Sequence, residues 1–98
     1  LSYWHGRLNT ACFGRELGRV ILTCGRSEDI GPVMGYYDYD DDEPSLHIDK
    51  RCKTRAEVIN TLAHEMIHQL QHERGLSVNH GAFFKAQVKR LQQYGLQP

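Results

Sequence analysis

Between Thr54 and Gly75 the apolar residues Val58, Ile59, Leu62, Met66, Ile67 and Leu70 recur every three or four positions. That is the period of a helix with one buried side. Thr54 and Glu57 stand three apart at its start, the spacing of a capping box, and Gly75 supplies the stop, so a helix over 54–74 is predicted. A shorter helix is predicted from Tyr3 to Phe13, ended by Gly14, although Gly6 weakens it. A last helix is predicted from about Asn79 to Gly95, with Phe84, Val88 and Leu91 on its core face and Lys85 and Lys89 on another.

Period-two patterns fill the interval between the first two helices. Arg19 to Cys24 is short, apolar and β-branched and reads as a buried strand. After the break at Gly31-Pro32, Val33 to Tyr39 reads as a tyrosine-rich second strand and Ser45 to Asp49 as a third, paired with the second as a hairpin. The acidic run Asp38–Glu43 lacks the central Gly and the length of an EF-hand loop. It is expected to be a solvated hairpin tip that also blunts a sheet edge.

These elements give one α+β domain spanning 1–98, with a small three-stranded sheet packed against about three helices. With 98 residues, 40% hydrophobic and 24% charged, the chain has material for a single core and lies outside disordered or collagen-like compositions. No apolar run approaches the ~18 residues of a membrane span, and no secretory leader opens the chain. Starting at Leu1 and ending at Pro98, it reads as a domain excised from a longer protein. The net charge of zero is the balance of −5 over residues 1–49 and +5 over residues 50–98. A wholly basic nucleic-acid binder is thereby excluded; the basic C-terminal half reads first as a solvated helix surface, with a face that meets phosphate as the alternative. Cys12, Cys24 and Cys52 contain no C-x-x-C pair, which excludes a cysteine zinc ribbon. Three widely spaced cysteines read as buried free thiols of an intracellular protein.

The chemistry sits in the long helix. His64-Glu65-Met66-Ile67-His68 is H-E-x-x-H. With His64 at zero on the helical wheel, His68 falls at ~40° and Glu65 at ~100°. The two imidazoles can share one metal ion, and the displaced carboxylate suits a base acting on metal-activated water. The apolar residues occupy the opposite arc, from ~120° to ~300°. A catalytic zinc asks for a third protein ligand. No Asp or Glu follows Glu73, which leaves His72 and His80. His72 lies on the same helix, ~12 Å along the axis from His64, and three side chains strung along a straight helix do not converge. It therefore reads as a cleft-wall or surface residue. His80 lies beyond the Gly75 stop and can approach if the next helix folds back, with Gly81 allowing close backbone approach. His5 and His47 read as surface or internally satisfied histidines. Tyr36, Tyr37, Tyr39 and His47 are candidates for stabilising an oxyanion, with aromatic strand packing the favoured role.

The segment Asn60 to Phe84 resembles the SprT-like (Spartan-type) zinc metallopeptidase domain, on Leu62, His64, Glu65, His68, His80, Gly81 and Phe84. The resemblance implies a compact zincin-like domain whose active-site helix is 54–74. It implies that His64, His68 and His80 hold one Zn2+ per chain and that Glu65 is the catalytic glutamate. It further implies a zinc-dependent endopeptidase acting on DNA-associated or DNA-crosslinked proteins, with DNA as activator or scaffold and a nuclear or DNA-associated location. Many members carry a C-terminal zinc ribbon, which is not in this sequence. The rival readings are a zinc-stabilised DNA- or protein-binding module without proteolytic activity, and a hydrolase of non-peptide amides.

Overall fold

In a computed structural model, residues 1–25, 34–39 and 43–98 are described. Helix α1 (Ser2–Cys12) is followed by strands β1 (Ile21–Gly25), β2 (Gly35–Asp38) and β3 (Ser45–Asp49), then helices α2 (Arg55–Glu73) and α3 (Ala82–Gln92). This is the expected α+β arrangement of three helices and a three-stranded sheet. The break at Gly31-Pro32, the start of the second strand at Val33 and the tip residues Asp40, Asp41 and Asp42 lie outside the described residues.

The sheet order is β1-β3-β2. β2 pairs antiparallel with β3, as the hairpin reading requires, and β1 pairs parallel with β3. Leu46 and Ile48 of the central strand are fully buried under α2, and His47 between them turns to the opposite face. The buried strand is thus β3, not β1. Ile21 is 45% exposed, and Thr23 and Cys24 are exposed as well. The apolar run over 19–24 suggested a buried strand, but among the described residues β1 lies at an edge of the sheet, where less burial is required. Cys24 is likewise exposed, whereas Cys12 and Cys52 are buried, and all three are free thiols.

α2 forms because its apolar arc has a core to face. Leu62, Ala63, Met66 and Ile67 are fully buried there, and truncating Leu62 or Ile67 to Ala costs about 2–5 kcal/mol. The cap differs in one detail from a reciprocal capping box. Thr54 Oγ1 accepts from the Glu57 backbone N–H at 3.1 Å, but Glu57 reaches back to the N–H of Lys53 at 3.2 Å. At the other end Gly75, with φ +72°, closes a Schellman motif: the Leu76 N–H donates to the Gln71 carbonyl at 2.8 Å and the Gly75 N–H to the His72 carbonyl at 3.0 Å.

α1 buries His5, Leu8 and Cys12 along one stripe, and its end is capped by an Arg90 guanidinium on the Cys12 carbonyl. α3 begins three residues later than expected. Asn79 Oδ1 accepts from the Gly81 N–H at 2.9 Å, so residues 79–81 form a turn and His80 precedes the helix rather than starting it. Phe84 and Leu91 of α3 are buried and Val88 is half-buried, while Lys85 and Lys89 are exposed. No helix among the described residues is long and apolar enough to cross a membrane.

Candidate metal centre

His64 and His68 stand one turn apart on the cleft side of α2, with ring centroids 5.1 Å apart. The Schellman turn reverses the chain, and the loop after it carries His80 over them. The His80 ring lies 5.1 Å from His64 and 4.9 Å from His68, centroid to centroid. One ring nitrogen from each residue falls within 4.8 Å of the others, the sole such donor group among the described residues. His68 Nε2 and His80 Nε2 face each other at 3.1 Å. Two corners of a tetrahedron around zinc at ~2.0–2.1 Å stand ~3.3 Å apart, so the spacing suits a shared ion.

The surroundings of His64 and His68 favour the neutral imidazole, the form in which histidine binds a metal. Burial, then the neighbouring His68 and His80, drives His64 down to about 4. Burial also lowers His68, against a hydrogen bond to Gln71 that works in the other direction. Phe84 forms the floor of the site, with its ring centroid 4.8, 4.9 and 4.6 Å from those of His64, His68 and His80.

Glu65 lies beside the three histidines and outside their donor group. It is 6% exposed, and burial pushes its carboxyl up to about 7. Its Oε2 is 3.9 Å from His64 Nε2, but a histidine that titrates near 4 is uncharged at neutral pH, so the contact is not an ion pair. Gly35 allows this crowding. A Cβ on Gly35 would stand 2.7 Å from the His47 carbonyl oxygen, 2.9 Å from Thr61 Cγ2 and 3.6 Å from Glu65 Cγ. Only a glycine lets β2 lie this close to α2.

The histidines and Glu65 line one side of a cleft of about 970 Å³, and Gly35, Tyr36 and Tyr37 of β2 line the other. β2 is an edge strand among the described residues. The Asp49 N–H donates to the Met34 carbonyl at 2.8 Å, which makes 34–49 a hydrogen-bonded pair. By antiparallel alternation the backbone groups of Tyr36 turn to β3, and those of Gly35 and Tyr37 turn to the open edge.

The other candidates lie elsewhere. His72 is bonded through Nδ1 to the Tyr37 hydroxyl at 2.9 Å and packs against the Tyr39 ring at 4.8 Å, half-buried behind Tyr37, outside the residues that line the cleft and apart from the metal group. Burial, then the nearby Glu73 and Tyr39, raises Tyr37 to about 12. His47 is bonded to Thr23 Oγ1 at 2.6 Å and stacked on Tyr36 on the outer sheet face. His5 is buried and bonded to Gln69 at 2.9 Å. Sequence reasoning passed over Gln71 and Gly35. Gln71 had a signal, since it stands three residues after His68 on a helix, within side-chain reach. Gly35 had none, because its neighbours come from distant elements.

The SprT-like family model matches residues 2–98, essentially the whole chain. No curated protein matches the chain. The chain therefore belongs to the SprT-like family, which is broadly a family of zinc metallopeptidase-like proteins.

Proposed function

We propose that this SprT-like domain is a zinc-dependent endopeptidase that acts on proteins associated with or crosslinked to DNA, with His64, His68 and His80 as zinc ligands and Glu65 as general base. The observation that carries the reading is the convergence of three histidine nitrogens within 4.8 Å beside a buried carboxylate. A zinc ion held there supplies Lewis acidity toward a peptide carbonyl and acidifies water at the site.

The chain's own residues then have distinct tasks. Burial disfavours the ionised form of Glu65, which makes its carboxylate a stronger proton acceptor than an exposed one. It takes the proton of the attacking water and later delivers it to the leaving amine. The open edge of β2 offers the Gly35 and Tyr37 backbone groups to an extended peptide, which adds as a strand and lies across the histidines. Support for DNA as activator or scaffold is the +5 balance of residues 50–98, with Lys85 and Lys89 exposed one turn apart on α3.

The test compares wild type with Glu65→Gln on a DNA-bound protein substrate, with and without single-stranded DNA, alongside metal analysis of both. The expected result is one zinc per chain in both proteins and a loss of turnover of about 10²–10⁴-fold in Glu65→Gln. Cleavage by Glu65→Gln at the wild-type rate sinks the mechanism. A zinc-loaded wild type that cleaves nothing under any DNA condition favours the non-proteolytic binding module instead.

A further inference from the structure

Gln71 is fully buried and makes three contacts. Its Nε2 donates to the Asn79 carbonyl at 3.0 Å, and its Oε1 lies 2.8 Å from His68 Nδ1. Its backbone carbonyl accepts from the Leu76 N–H at 2.8 Å. A carbonyl can only accept, so the Asn79 contact fixes which way the amide points. Oε1 must then face His68, and an amide oxygen can only accept as well. His68 Nδ1 therefore carries the proton, and its Nε2 lone pair is left facing His80.

The same residue holds the loop that delivers His80. Residues 76–80 leave α2 through a bond to the Gln71 carbonyl and end at Asn79 on the Gln71 amide. Asn79 in turn holds the Gly81 N–H, so His80 sits between two fixed points. One side chain thus sets both the tautomer of one histidine and the position of another, 12 residues apart in sequence.

We infer that Gln71 is the positioning residue of the metal centre, orienting His68 through Nδ1 and tethering the His80 loop through Asn79. The inference rests on the proposed metal site. Gln71→Met keeps the volume and removes both contacts. Gln71→Glu keeps the acceptor for His68 and removes the donor to Asn79.

The measurement is zinc affinity by chelator competition on the purified chain, with the absorption spectrum of the cobalt-loaded protein as a readout of ligand geometry. Thermal unfolding of each metal-free variant separates general destabilisation. Gln71→Met is expected to bind zinc about 10–100-fold more weakly than wild type, with an altered cobalt spectrum. Gln71→Glu is expected to recover part of that loss, and it decides the matter alone against wild type if Gln71→Met does not fold: there, zinc binding clearly weaker than wild type with the His68 Nδ1 proton still seen by ¹⁵N NMR is the supporting result, and binding equal to wild type overturns the inference. A Gln71→Met affinity within about threefold of wild type, an affinity of Gln71→Glu no better than that of Gln71→Met, or loss of the His68 Nδ1 proton in Gln71→Glu overturns the inference. Wild type that binds no zinc fails the metal site itself and the inference with it, whereas a zinc-binding wild type with an indifferent Gln71 fails the inference alone.

Discussion

Two histidine–glutamine pairs flank α2, and they are built alike. On the cleft side His68 Nδ1 bonds Gln71 at 2.8 Å, and on the far side His5 Nε2 bonds Gln69 at 2.9 Å. In both, a carbonyl fixes the amide: Asn79 for Gln71 at 3.0 Å, and Gly18 for Gln69 at 2.9 Å. In both, the histidine is therefore the donor. The difference lies in what surrounds them. Around His68 two further imidazoles bring nitrogens within 4.8 Å. Around His5 the partner Gln69 is tied instead to Glu73 at 2.8 Å, whose carboxylate accepts from the Gly18 N–H at 2.9 and 3.1 Å. One pair presents a ring nitrogen to a cluster, and the other stitches α1 and the following loop to the helix. A buried, hydrogen-bonded histidine is not by itself a sign of chemistry.

Breaking each pair at its histidine separates the two roles most sharply. His68→Ala should abolish stoichiometric zinc binding and with it the stability that the metal adds. His5→Ala should leave zinc binding unchanged and cost about 1–3 kcal/mol of folding stability, because Gln69 Oε1 loses its buried donor. Metal analysis and chemical denaturation of the two variants check this. Zinc lost from His5→Ala, or retained by His68→Ala, breaks the comparison.

A smaller effect comes from acid titration of the metal-free chain. His64, lowered from 6.5 to about 4, contributes stability that is present above 6.5 and lost as pH falls toward 4. His68 is lowered too and acts in the same direction. Glu65, raised from 4.5 to about 7, contributes in the opposite sense: its share is full below 4.5 and lost as pH rises through 7. Between these limits the carboxyl offsets part of the histidine loss. Glu65→Gln removes the offset. Its midpoint of thermal unfolding, measured in chelator, should fall more steeply than that of wild type as pH drops from about 6.5 to 4.5. Parallel curves for the two proteins contradict the burial argument.

Much of this was legible along the chain, and for a physical reason. A helix places residues by local geometry, so H-E-x-x-H together with the apolar arc of Val58 to Leu70 already separated the cleft side of α2 from its core side. The cap at Thr54 and the stop at Gly75 were read from residue types whose preferences are local. The strand positions were less legible. The run at 19–24 is more apolar than Ser45–Asp49, yet Ser45–Asp49 is the central strand, because parallel pairing to β1 is a long-range choice that no local pattern records. The start of α3 was misplaced by three residues because Asn79 caps a turn before Gly81 rather than the helix itself. Gly35 gave no warning, since the atoms that crowd it come from residues 47, 61 and 65.

The most direct test of the account is the identity of the third ligand. His72 and His80 both follow His68, and the structure sends them to different places. His72, outside the residues that line the cleft, goes to Tyr37 and Tyr39, and His80 brings its Nε2 to 3.1 Å from His68 Nε2. Titration of His80→Ala and His72→Ala against a competing chelator measures the difference. His80→Ala is expected to weaken zinc binding by more than the about 10–100-fold of a lost outer partner, and His72→Ala to stay close to wild type. Zinc shed by His72→Ala and held by His80→Ala would contradict the folding-back of the Leu76–His80 loop and the metal centre built on it.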